Sequence, residues 1–177
     1  MIFVLGVGRS GTSTVARIIH QKNIACMGHE FPQPNGFNPL GYWEDKEVRR
    51  LLSTFLTGNV SSFVVNVEKL HRNRGCNKPI LGFKHPVLCG VPREVWLSLQ
   101  PKAIYWCTRP KEATIVSMMR FREFNRGSAD VAKATHLYNN RMEMLSKNLD
   151  NLPFVKTIDF SEYRMDEWVL KQILTSL

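Results

Sequence analysis

The sequence predicts an α/β protein in three layers: an open, mostly parallel sheet with helices on both faces. Three observations carry this. Short apolar runs of strand length alternate with longer stretches of helical spacing, the pattern of strand–helix–strand units. The first apolar run passes through a glycine-rich turn straight into a helical stretch. The three stretches richest in chemistry, GVGRSGTS, FKHP and CTRP, all fall at the ends of predicted strands, and open parallel sheets bind ligands beyond the carboxyl ends of their strands. At 177 residues the chain is long enough for one domain, residues 1–177, with a sizeable core.

The elements follow in order. Ile2 to Gly6 is continuously apolar, as a strand buried on both faces must be. Thr12 to Lys22 has helical spacing, and Ile24 to Met27 suits a short second strand. Phe31 to Gly41, rich in Pro, Gly and Asn, is a loop. Glu44 to Leu56 puts Val48, Leu51, Leu52 and Phe55 on one side of a helix. Ser61 to Arg74 matches no single period. Ile80 to Lys84 is a strand stopped by Pro86, and Pro92 to Leu99 a short helix with proline near its start. Ala103 to Thr108 is the clearest internal strand, and Pro110 opens a helix reaching Phe124. Ala129 to Leu149 carries Val131, Ala134, Tyr138, Leu145 and Leu149 at helical spacing. Phe154 to Ile158 is a last strand and Asp166 to Leu174 a last helix.

Composition narrows the function classes. Hydrophobic residues make up 44% and charged residues 22%, as in soluble globular proteins. The net charge of +9 favours an anionic ligand or partner. No basic patch is interleaved with aromatics, so nucleic acid is not the expected partner. No run approaches the length of a membrane span, and no charged and apolar leader precedes Ile2. Cys26, Cys76, Cys89 and Cys107 form no C-x-x-C pair and show no metal-ligand spacing. They read as free thiols in a reducing compartment, with a cytoplasmic location and no metal expected.

The turn GVGRSGTS has the layout of a phosphate-binding loop. Its glycines let successive backbone N–H groups face one anion, and the helix start adds partial positive charge. Gly8, Arg9, Ser10, Gly11, Thr12 and Ser13 are placed for this. The NTPase form of the loop carries a lysine where this chain has Thr12, and a neighbouring strand supplies a magnesium-holding aspartate. Here that strand, AIYWCT, runs into Arg109 instead. A cation at a strand end suits an anion rather than a metal.

GRSGTS at a strand-to-helix turn resembles the 5′-phosphosulfate loop of the sulfotransferases, which are P-loop NTPase-like in fold. Arg109 and Ser117, eight residues apart in TRPKEATIVS, match the family's second motif. NPLGYWED, Asn38 to Asp45, is similar to a segment after the first helix of many bacterial carbohydrate-type members. FKHP sits where members place catalytic residues. The order of elements after it is also similar, so the resemblance covers nearly the whole chain. It implies 3′-phosphoadenosine 5′-phosphosulfate (PAPS) as co-substrate, no metal, and Arg109 with Ser117 on the 3′-phosphate. The glycine-rich basic segment that cytosolic members carry near the C-terminus is not found before Leu177. The acceptor would be a hydroxyl or amine on a small molecule, carbohydrate or peptide.

Sulfuryl transfer needs donors on the leaving oxygen and a base for the acceptor proton. Arg9, Thr12 and Lys84 are candidate donors. His85, which titrates near neutrality, and Glu44, beside aromatic rings, are the leading candidate bases, ahead of Asp45 and His29. Alternate strand residues face opposite ways, so Lys84 and His85 reach one ligand only if the chain bends between them. Each has a structural reading as well: Glu44 and Asp45 as acidic residues at a helix start, His85 as a histidine held by a backbone partner, and Arg109 as half of an ion pair. Trp43 serves either the acceptor or the core. Arg120, Arg122 and Arg126 suit a solvated basic face. Three functions compete: a sulfotransferase, a small P-loop nucleotide-dependent kinase, and an inactive nucleotide-binding relative.

Overall fold

A computed structural model describes residues 1–36, 38–39, 41–56, 60–126, 130–161 and 166–176, with the side chains of 53–56, 60–61 and 122–126 outside the description. Four parallel strands form the sheet: β1 (Ile2–Leu5), β2 (Gly82–Lys84), β3 (Ala103–Thr108) and β4 (Val155–Asp159), in spatial order β2-β1-β3-β4. A parallel bridge between Cys26 and Leu81 extends the β2 edge. This bridge is all that forms of the strand expected at Ile24 to Met27. Strand β2 is likewise shorter than the expected Ile80 to Lys84.

The central strand β1 shows why the sheet is covered on both sides. All four of its residues are buried, and their alternation feeds two separate cores. Phe3 and Leu5 join Phe83 and Ile104 on one face, against Val48, Phe63, Trp96, Leu145 and Leu149. Ile2 and Val4 join Tyr105 and Cys107 on the other, against Val15, Ile19, Val169 and Ile173. The first face is covered by α2 (Lys46–Leu56), α3 (Val60–Asn73), α4 (Arg93–Leu99), α5 (Lys111–Arg126) and α6 (Val131–Leu149), and the second by α1 (Thr12–Gln21) and α7 (Asp166–Leu174). The three layers, with a glycine loop between β1 and α1, form a P-loop NTPase-like fold.

Tyr105 and Trp106 pack within the sheet cores as their strand position requires. The stretch from Ser61 to Arg74 is helical: α3 buries Phe63 and Val67, one turn apart. Pro86 does more than end β2. It is the first residue of a 3₁₀ turn, Pro86–Gly90, whose cap is His85. The expected helix from Ala129 begins at Val131, capped by the Asp130 side chain on Lys133 N–H at 3.1 Å; Ala129 itself lies outside the described residues.

Candidate functional site

The loop after β1 is built by sterics. A Cβ on Gly6 would lie 2.4 Å from Ser10 Oγ and 2.7 Å from the Cys107 carbonyl oxygen. Arg9 and Gly11 both take left-handed backbone, with φ of 78° and 94°. Such alternation turns peptide N–H groups toward one concavity. Gly11 caps α1 with no side-chain hydrogen bond, and its carbonyl accepts from Thr14 and Val15 N–H; the Thr12 and Ser13 N–H groups at the helix start are the ones suited to an incoming anion. The Ser10 side chain is not in that concavity. It is buried beneath the loop, and its Oγ has no hydrogen-bond partner among the described residues, so Ser10 can offer its ligand only backbone.

The lysine that the loop lacks arrives from β2. Register pairs Lys84 with Val4 at the end of β1, which places its side chain level with the loop. The ammonium lies 3.3 Å from Ser13 Oγ, 3.0 Å from the Tyr42 carbonyl and 2.5 Å from Glu44 Oε1. Ser13 Oγ donates to the same Tyr42 carbonyl at 3.2 Å and accepts from Asn38 Nδ2 at 3.3 Å. Burial lowers the Lys84 pKa from its usual value, and the adjacent Glu44 carboxylate opposes that shift. Thr12, in the loop-lysine position, is buried.

The chain does bend after Lys84. His85 is extended, with φ −159°, and leads into the 3₁₀ turn, so both residues approach Glu44. His85 Nε2 is 3.7 Å from Glu44 Oε2, while its Nδ1 accepts from Val87 N–H at 3.1 Å. That bond occupies the Nδ1 lone pair and puts the neutral ring's proton on Nε2, toward Glu44. Burial lowers the His85 pKa, with Glu44 in partial opposition.

Arg9, Arg109 and Ser117 come together from three elements. Arg9 Nε donates to Ser117 Oγ at 3.0 Å on α5, and Arg109 Nη1 donates to the Arg9 carbonyl at 3.4 Å. The Arg9 guanidinium also lies over the Phe121 ring, 5.6 Å from its centroid. Burial lowers the Arg9 pKa, and the neighbouring Arg109 adds to the shift; an arginine nevertheless keeps its charge in water-accessible sites.

These groups line one cavity of about 830 Å³. Gly8, Arg9, Gly11, Thr12, Ser13, Glu44, Lys84, His85, Arg109 and Ser117 all border it. So do Tyr42, Arg49 and Arg141, which the sequence reading missed. Neither arginine belongs to a short motif, and only the packing of α2 and α6 brings them to the loop. Among the described residues, five cations (Arg9, Arg49, Lys84, Arg109, Arg141) therefore share the cavity with a single carboxylate, Glu44.

Two of the weaker candidates have structural duties. Asp45 is fully buried and caps α2, accepting from Glu47 and Val48 N–H on one oxygen and from His29 and Glu30 N–H on the other. Burial alone would raise its pKa, but the four backbone bonds outweigh it and the net shift is downward. Trp43 meets Phe31 at a tilt, 4.7 Å between ring centroids, and packs on the α1–α7 core, away from the cavity lining. Arg120 is exposed, as a solvated face requires, while the side chains of Arg122 and Arg126 lie outside the described residues.

The cysteines show no metal-ligand spacing along the sequence, but the fold sets Cys26, His29 and Cys76 together, their ligand atoms all within 4.8 Å of one another. None of the three borders the cavity.

No family model matches the chain, and no curated protein matches it. Among solved structures, the chain is similar to deoxyadenosine kinase from M. mycoides with bound dATP, at 12% identity and a TM-score of 0.49, over 99% of this chain and 98% of that one.

Proposed function

We propose that the chain is a sulfotransferase that moves a sulfuryl group from PAPS to a hydroxyl or amine of its acceptor, in line and without a metal. The observation that carries this reading is the Lys84 ammonium 3.3 Å from Ser13 Oγ. In a P-loop kinase that hydroxyl position ligates magnesium, and the cation clamps a triphosphate. Here a lysine from the adjacent strand stands at the hydroxyl, and Arg109 follows the strand that would end in the metal-holding aspartate. A transferred SO₃ group carries less charge than a phosphoryl group, so lysine and loop N–H groups can supply the stabilisation without a metal clamp.

In this reading the loop N–H groups hold the 5′-phosphosulfate, and Arg109 with Ser117 binds the 3′-phosphate. The acceptor oxygen attacks sulfur and gives its proton to the Glu44 carboxylate. The bond from sulfur to the bridging oxygen breaks, and the electron pair stays on the 5′-phosphate. Lys84 and Arg9 face that developing charge, each such donor contributing about 3–4 kcal/mol. The hydrogen bond from Val87 supports Glu44 rather than His85 as the base, since it leaves His85 donating toward Glu44. His85 is then a positioning residue.

Calorimetric titration with 3′-phosphoadenosine 5′-phosphate and with ATP, each with and without magnesium, tests the reading. Tight, metal-independent binding of the bisphosphate with weak ATP binding is expected. Preference for magnesium-ATP would overturn it in favour of the kinase. Bisphosphate binding with no turnover on any acceptor would leave an inactive relative.

A further inference from the structure

The second concentration of ligating side chains lies at the β2 edge of the sheet. Cys26 Sγ is 3.5 Å from His29 Nε2 and 3.7 Å from His71 Nδ1. Cys76 Sγ lies within 4.8 Å of both Cys26 Sγ and a His29 ring nitrogen. Bond lengths of about 2.3 Å to sulfur and 2.0–2.1 Å to nitrogen place tetrahedral zinc ligands about 3.6 Å apart for sulfur–nitrogen pairs. The two measured separations bracket that value. Cys26, His29 and Cys76 hold their ligand atoms within 4.8 Å of one another, and His71 reaches the group through Cys26; brought onto one ion, two thiolates and two imidazoles are the S₂N₂ set that selects zinc.

The sequence supplies the four as two short pairs, Cys26-x-x-His29 and His71-x-x-x-x-Cys76, spacings of the kind structural zinc sites use. Each pair is held by backbone. Cys26 sits in the parallel bridge, its N–H on Ile80 O at 2.9 Å and its carbonyl accepting from Gly82 N at 2.7 Å. Cys76 folds back onto the end of α3, its N–H on His71 O at 3.0 Å. His71 itself is unexplained by packing. It is fully buried, its Nε2 has no hydrogen-bond partner among the described residues, and its Nδ1 faces only a thiol. A buried imidazole so placed calls for a reason, and a metal on Nδ1 supplies one.

From this geometry we infer that Cys26, His29, His71 and Cys76 bind one zinc ion as a structural site, separate from the nucleotide cavity. The ion ties the end of α3 to the segment that leaves the bridge. His29 N–H donates to Asp45 Oδ2 at 2.6 Å, so the tether reaches the residue next to Glu44. The site is closed, with four protein ligands and no position left for a substrate, as structural zinc requires.

The test uses the full chain, purified under reducing conditions, stripped with chelator and reloaded with zinc or cobalt(II) alone. Elemental analysis after dialysis should find one zinc per chain. The cobalt form should show a thiolate charge-transfer band in the near ultraviolet and the intense visible bands of tetrahedral coordination. Cys76→Ser and His29→Ala, at the two less buried ligands, should each weaken zinc binding at least about tenfold. Cys89→Ser, at a thiol outside the cluster, should not. If the ligand variants fail to fold, the cobalt spectrum of the unmodified protein still decides. A folded protein that retains no zinc and gives no tetrahedral cobalt spectrum would overturn the proposal. So would a Cys26–Cys76 disulfide whose reduction restores no metal uptake.

Discussion

Replacing Arg109 by alanine separates the two ends of the proposed donor. Arg109 is exposed, and its guanidinium is anchored by the 3.4 Å bond to the Arg9 carbonyl. Its loss should therefore leave the fold intact, within about 0.5 kcal/mol as for most surface changes. What it removes is a charge-assisted contact with the 3′-phosphate, worth about 1.5–3 kcal/mol. That corresponds to a weakening of about 10- to 150-fold in Kd. Adenosine 5′-monophosphate lacks the 3′-phosphate, and its affinity should change by less than about threefold, since Arg9 and the loop N–H groups remain. Titration calorimetry on both ligands reads the difference directly. Raising salt should shrink the bisphosphate effect, because the partner charge is solvent-accessible. Equal losses for the two nucleotides would refute the assignment of Arg109 to the 3′-phosphate.

Further outcomes follow from the same geometry. Lys84→Met should lower turnover by about 10²–10³-fold, read as bisphosphate release with an acceptor found by screening; an unchanged rate would remove Lys84 from the chemistry. Glu44→Gln should lower turnover by about 10²–10⁴-fold while the bisphosphate still binds, whereas a larger loss in His85→Asn than in Glu44→Gln would reverse the choice of base. The lowered pKa of His85 means that the folded protein favours the neutral ring. Its stabilising contribution is thus complete above the ordinary histidine pKa of about 6.5 and is lost as pH falls through the lower folded value. Melting temperature against pH should accordingly fall less steeply on the acid side in His85→Asn, and parallel curves would show that the ring does not titrate in this way. Gly11→Ala forces a Cβ to within 2.6 Å of the Phe160 ring at φ 94°. The left-handed backbone alone costs about 1–2 kcal/mol, a drop of at least about 2–4 °C in Tm for a chain this size; an unchanged Tm would mean that Gly11 does not hold this strained backbone.

The parts of the fold that were legible are those where one local signal suffices. β1 and β3 are continuous apolar runs and lie where expected, and the last helix matches from Asp166 to Leu174. Helix α3 was obscured because its sequence, VSSFVVNVEKLHRN, is rich in β-branched valines that favour strands. Packing of Phe63 and Val67 against the sheet overrides that preference. In the site, the loop and the Arg109–Ser117 spacing were readable because each is a short motif. Arg49, Arg141 and Tyr42 were not, since tertiary packing alone brings them to the cavity. The Cys26–His29–His71–Cys76 cluster escaped for another reason. Each half is a mixed cysteine–histidine pair, and a search for paired cysteines passes over both.

The placement of Lys84 explains how a phosphate loop works without its own lysine. A loop lysine starts on the flexible first turn of the helix and reaches back over the phosphates. Lys84 starts from the last residue of β2, pinned by its pairing with Val4, so its reach is set by the sheet. That origin has an electrostatic consequence. The side chain must cross the core edge to reach the loop, and it becomes almost fully buried. A buried ammonium needs a counter-charge, and Glu44 provides it at 2.5 Å. The carboxylate that pairs with Lys84 in the resting site is also, in the proposed reaction, the group that takes the acceptor proton. In the proposed reaction, a phosphosulfate would bring its own negative charge beside Lys84, contest the pairing that holds Glu44, and free the carboxylate to accept that proton. In that reaction, donor binding and activation of the base would be linked through a single lysine.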